Sequence, residues 1–118
     1  MNINPKLEQE INQLHADFCS GLSDPKRLLI LYTLAENPLT VNELADMLSL
    51  SQPATSRHLK ILRELGMVST TRLGSSIEYS LADVRVIQAL DILRSAMRDH
   101  LAQRMGMLNV LDQLESES

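Results

Sequence analysis

Aromatic side chains are scarce in this 118-residue chain: there is no tryptophan, and two tyrosines and one phenylalanine make up 3% of it. A core must therefore be built from leucine, isoleucine, valine, methionine and alanine, a composition that suits packed helices better than a β-sandwich. Cysteine occurs once, as Cys19, which excludes an internal disulfide and fits a reducing compartment. No apolar run approaches the roughly 18 residues a membrane span needs, and "MNINPKLEQE" lacks the basic start and apolar middle of a secretion signal. A cytoplasmic protein with no membrane partner is expected. Repeats and low-complexity tracts are also missing, so the length points to one domain spanning 1–118, burying about two-thirds of its unfolded surface.

A basic excess is missing too, since the net charge is −4. Its distribution says more than its sum. Residues 1–50 carry three basic and seven acidic side chains, and residues 77–118 carry four and seven. Between them, Arg57, Lys60, Arg63 and Arg72 face only Glu64. Beyond about 8 Å charges are largely screened at physiological salt, so this basic island acts locally whatever the total.

The apolar spacing sets out the elements. Pro5 opens a helix over 5–21 with Leu7, Ile11, Leu14 and Phe18 on one stripe, and Gly21 ends it. Ser23 or Asp24 caps a second helix, with Pro25 in its first turn and Leu28, Leu31, Leu34 and Ala35 inward, stopped by Asn37-Pro38. Thr40 and Glu43 form a capping box for a short third helix, about 41–48. Ser51 caps a fourth, about 51–65, with Pro53 tolerated in its first turn and Gly66 at its end.

The period then changes. Residues 67–81 alternate, with Ile77, Tyr79 and Leu81 on one face and Gly74-Ser75 suited to a hairpin tip. Asp83 caps a last helix, 83–115, whose stripe runs through Val86, Leu90, Leu93, Met97, Leu101, Met105, Leu108 and Leu111. Unbroken, it is about 50 Å long at about 1.5 Å per residue, more than a domain of this size spans. Either the helix breaks near Gly106 and folds back, or its stripe meets a second copy of the chain. The preferred reading is a symmetric homodimer joined through the first and last helices, with Leu90, Leu93, Met97 and Leu101 at the interface.

The fourth helix carries the function. Ala54, Leu59, Ile61, Leu62 and Leu65 cluster on one side of a helical wheel, and Gln52, Ser56, Arg57, Lys60 and Arg63 on the other. Three helices, this one, then a hairpin is the layout of a winged helix-turn-helix, whose recognition helix enters the major groove by its N-terminal end. Ser51, Gln52, Thr55, Ser56 and Arg57 occupy that end. Glutamine can pair with adenine and arginine with guanine, and hydroxyls reach bases or phosphates. Arg72, beside the hairpin tip, could reach the backbone or minor groove. His58 falls near the middle of the apolar side, where a histidine is either a hydrogen-bonded, partly buried residue or a DNA contact on a protruding helix end. The architecture expected is mainly α, with five or six helices and a two-stranded wing.

Over roughly residues 20–100 the chain resembles the winged-helix repressors of the ArsR/SmtB family. The resemblance is carried by Asp24-Pro25-x-Arg27, by Leu50-Ser51-Gln52-Pro53-Ala54-x-Ser56-Arg57-His58-Leu59 and by Leu65-Gly66-x-Val68. It implies a homodimer bound to an inverted-repeat operator on double-stranded DNA and released by a signal, and it adds His58 to the DNA-facing set. The family's metal sites do not carry over. Thr40-Val41-Asn42 stands where many members have Cys-x-Cys, and of the four positions of the other site Asp83 and Asp99 remain while Arg85 and Ala96 replace the rest. No cofactor is expected, and the effector is left open.

Alternatives remain at this stage. His15 and Cys19, four apart on the first helix, could share an ion or tune the thiol, with Asp99 or His100 of a second copy completing a site. Cys19 alone is a possible thiol sensor, and a winged-helix protein-interaction module is a further reading. As an enzyme the chain offers only the pair Cys19 and His15, with no third group to orient the base, so no catalytic residue is expected.

Overall fold

In a computed structural model, residues 3–116 are described; the ends of the expected 1–118 domain lie outside them. The chain divides into two units, one ending at Val84 and one beginning at Arg85.

The first unit starts with α1 (Pro5–Leu14), capped by Asn4, whose side chain accepts from the Lys6 amide. The helical path continues through a π turn at His15–Cys19 into α2 (Ser20–Leu22). No helix spacing signals such a turn, so the expected uniform helix over 5–21 is corrected to three segments. Asp24 accepts from the Lys26 amide and opens α3 (Pro25–Glu36). The expected capping box is formed at α4 (Val41–Leu48): Thr40 Oγ1 accepts from the Glu43 amide and Glu43 Oε1 from the Thr40 amide. Ser49, left-handed at φ 54°, turns the chain, and Ser51 caps α5 (Gln52–Glu64) through the Ala54 amide. Gly66, at φ 76°, closes α5 with the Met67 amide donating to the Leu62 carbonyl, a left-handed stop that glycine takes without a Cβ penalty.

The core of this unit collects Ile30, Leu31 and Leu34 from α3, Leu44 and Ala45 from α4, Thr55, Leu59 and Leu62 from α5, and Met67 and Val68 after it. Ala35, expected inward, is exposed, and Ile30 takes its place because the α3 stripe is turned toward the 30–31–34 edge. Gly21 is buried because there is no room for more: a Cβ there would meet Leu65 Cδ1 at 2.5 Å.

Strands β1 (Val68–Leu73) and β2 (Ser76–Leu81) pair antiparallel, from Val68 opposite Leu81 to Leu73 opposite Ser76, across a tip at Gly74. Tyr79 and Leu81 are half-buried, but Ile77 is exposed because its place lies near the tip. The base of the hairpin is tied to the segment before α4 by a two-way backbone bridge, Leu39 N–H to Tyr79 O at 3.0 Å and Tyr79 N–H to Leu39 O at 2.8 Å.

The second unit lies on α6 (Val84–Ser116), one uninterrupted helix of 33 residues. It runs straight through Gly106, so the alternative break is not made. Ile87 is buried and Leu90 half-buried, whereas Leu93, Met97, Leu101, Met105, Leu108 and Leu111 are all exposed.

Candidate nucleic-acid interface

Helix α5 presents two unlike faces. Thr55, Leu59 and Leu62, spaced four and three, form the buried edge. Ser51, Gln52, Pro53, Ser56, Arg57, Lys60 and Arg63 are exposed. Ser51 spends a lone pair on the cap, which leaves its hydroxyl proton for a partner. Pro53 has no N–H and the Ala54 and Thr55 amides go to Ser51, so what this end offers an anion is the Gln52 amide and the positive end of the helix dipole.

Thr55 requires a correction. It is fully buried, and its hydroxyl donates to the Ser51 carbonyl at 2.9 Å, so its side chain cannot face DNA. A threonine methyl fills the core position while its hydroxyl is satisfied on the preceding turn, an arrangement a polar label hides. The spacing to Leu59 and Leu62 was the signal available.

His58 lies on the flank, half-buried. Its Nδ1 stands 3.4 Å from Arg27 Nη1. The ring is thus partly buried and hydrogen-bonded, and it brings in Arg27, which sequence reasoning left without a role. The signal was present in Asp24-Pro25-x-Arg27. Asp24 Oδ2 lies 4.0 Å from the same guanidinium. The Lys26 amide bond, with the nearby charges of His58 and Arg27, holds the Asp24 carboxyl below its usual value against a smaller opposing effect of burial.

The wing completes the surface. Gln52 shares a groove of about 290 Å³ with Thr40, Val41 and Asn42 at the start of α4 and with Ser75, Ser76 and Ile77 on the hairpin. Arg72 is exposed beside the tip, its Nε 3.4 Å from the Gly74 carbonyl. The start of the recognition helix and the wing thus flank one open channel. Lys60 and Arg63 line the exposed side of α5 farther from the cap.

Cys19 is an exposed thiol at the end of the π turn, and His15 at its start is exposed as well. Among the described residues, no group of three or more His, Cys, Asp or Glu side chains is arranged to hold a metal ion. No described helix is long and apolar enough to cross a membrane.

A helix pair joined by a tight turn, with an exposed basic face on the second helix and a hairpin beside its start, defines a winged helix-turn-helix DNA-binding protein. Comparison with known proteins narrows the class. Residues 24–70 match the family described as bacterial regulatory protein, arsR family. The chain is 45% identical over 76 residues to the HTH-type transcriptional regulator NmtR of Mycobacterium tuberculosis, covering 64% of this chain and 63% of that one. It is 35% identical over 100 residues to the biofilm growth-associated repressor of Agrobacterium fabrum, covering 82% and 85%. Among solved structures, NolR from Sinorhizobium fredii superposes with a TM-score of 0.71 at 36% identity over 81% of this chain and 95% of that one. The chain belongs to the ArsR family and is a DNA-binding transcriptional regulator rather than an enzyme.

Proposed function

We propose that the chain is a homodimeric repressor that binds an inverted-repeat operator, placing one α5 in the major groove of each half-site. The exposed edge of α5 carries this reading. It offers Gln52, Ser56 and Arg57 within reach of base edges, with Lys60 and Arg63 set for phosphates, while the apolar edge of the same helix is locked in the core. Ser51 and Arg72 add backbone contacts from the helix cap and the wing. His58 stands at the margin, where its Nε2 side is the part left to approach DNA.

Dimerisation is supported by the apolar stripes of α1 and α6. Leu7, Ile11 and Leu14 on the one, and Leu93, Met97 and Leu101 on the other, are each about half or more exposed. Side chains of this size in continuous stripes mark surfaces that a partner covers. A second copy is the occupant that also supplies the two-fold pairing of half-sites an inverted repeat demands. The relatives named as repressors support the sign of regulation.

The test is selection of bound fragments from genomic DNA, followed by fluorescence anisotropy on a selected fragment and on unrelated DNA of equal length. The wild type should prefer the selected fragment and lose about 10³–10⁵ in affinity between 50 and 200 mM salt if it touches about 6–10 phosphates. The variant carrying Gln52→Ala and Arg57→Ala should lose most of the preference with its dimer intact, each good base contact being worth about 1–3 kcal/mol. Absence of any enriched fragment, or full preference in the variant, would overturn the reading.

A further inference from the structure

The side chain of Arg27 is 12% exposed, and its guanidinium divides its donors among three acceptors. Nε donates to the Gly21 carbonyl at 2.7 Å and Nη2 lies 3.3 Å from the Ser20 carbonyl, both in α2 at the end of the N-terminal helical stretch. Nη1 points across to His58 on α5, 31 residues further along the chain. Carbonyls at a helix end attract a cation; that of Ser20 also accepts from Ser23 Oγ at 2.8 Å, so the 2.7 Å bond to the Gly21 carbonyl is what chiefly seats the side chain. Asp24 Oδ2 stands 4.0 Å from the same Nη1.

With Arg27 held there, the ring of His58 is what it holds in turn. His58 directly follows Arg57 on α5 and sits on the flank between the buried edge and the exposed one. A pull on this flank sets the roll of the helix about its own axis, and the roll decides which side chains point into the groove. The buried edge of Thr55, Leu59 and Leu62 fixes how deep α5 sits and its coarse roll, and the His58 contact on the flank adds one directed constraint to that roll.

We propose that Arg27 is a positioning residue for DNA recognition: through His58 it sets the roll of α5, and it links that roll to the end of the N-terminal helical stretch. The inference rests on the DNA-reading role of α5. Arg27 itself is assigned no phosphate contact, because its side chain is only 12% exposed and Nε, Nη1 and Nη2 each already contact a group inside the protein. A change at α1 or the π turn, on the stretch proposed to meet a second copy, would reach the reading side chains along this route.

The link and its consequence are tested separately. In ¹⁵N-resolved spectra of the neutral ring, His58 should carry its proton on Nε2, since Nδ1 accepts from Arg27; a proton on Nδ1 would overturn the link whatever the protein does with DNA. On DNA, Arg27→Lys keeps the charge and the fold but cannot span three acceptors. It should lose about tenfold in preference for the selected fragment over unrelated DNA, on the scale of one charge-assisted hydrogen bond, with the salt slope unchanged. Arg27→Ala should lose at least as much in the wild-type background and nothing further in a His58→Ala background, as expected of residues acting through one another.

A shallower salt slope with equal loss on both DNAs would make Arg27 a direct phosphate contact. An unchanged preference in the folded dimer, or losses that add in the double variant, would make it a structural side chain only. Either result overturns the proposal while leaving wild-type preference, and so the DNA-reading role of α5, intact. Lack of preference in the wild type would instead remove the premise and the proposal together.

Discussion

Thr55 and Ser56 are adjacent hydroxyl residues with opposite surroundings, one at zero exposure and one in solvent. Thr55→Val keeps the shape and removes a hydroxyl whose acceptor, the Ser51 carbonyl, still receives the Thr55 amide at 3.0 Å. We expect a loss of about 1 kcal/mol in unfolding free energy, measured by urea titration, and no change in DNA affinity. A large fall in affinity would put Thr55 back among the contacts. Asp24 gives a prediction in pH. Its folded-state carboxyl titrates below the unfolded one, so its charge adds stability above about pH 4 that disappears as pH falls through the folded value. Asn can still cap a helix, so Asp24→Asn isolates the charge. The Tm difference between wild type and variant should be constant near neutrality and close on acidification below about pH 4.

Elements were more legible than the roles of single side chains. Asp24, Thr40 with Glu43, and Ser51 cap the helices that their sequence positions promised, because capping depends on residues within three or four of one another. The hairpin was readable for the same local reason, whereas Gly106 left open whether α6 runs on. The π turn was not, since its sequence His15–Cys19 carries no proline or glycine to mark a change of winding. Nor was the Arg27 to His58 bond, which joins residues remote along the chain and exists only once α3 and α5 have packed. At this scale Gly21 is the sensitive point, for α2 passes directly over Leu65 and Met67. Gly21→Ala should cost about 1–3 kcal/mol by overpacking, read as a lower urea midpoint at unchanged slope. A stability equal to wild type would mean Leu65 has another rotamer to retreat into.

For the whole molecule the governing expectation is that assembly and DNA binding rise and fall together. Leu93 is 65% exposed on α6, so Leu93→Glu costs the lone chain little, but it would bury a charge in a two-fold interface. Sedimentation should show dimer affinity weakened by at least about tenfold, and anisotropy a matching loss on a two-half-site operator but little on a single half-site. A fully dimeric variant would move the interface off this stripe. A different economy follows from the bridge between Leu39 and Tyr79. Those two backbone bonds close the chain from 39 to 79 into a ring, and every residue assigned to DNA contact lies inside it. Ring closure costs only about 0.6 kcal/mol more for each doubling of length. Residues can therefore be inserted at the Gly74 tip with the neck still shut. The wing can lengthen to meet a new operator while the recognition helix keeps its seat, so the reach of this reader is the part most open to change by insertion.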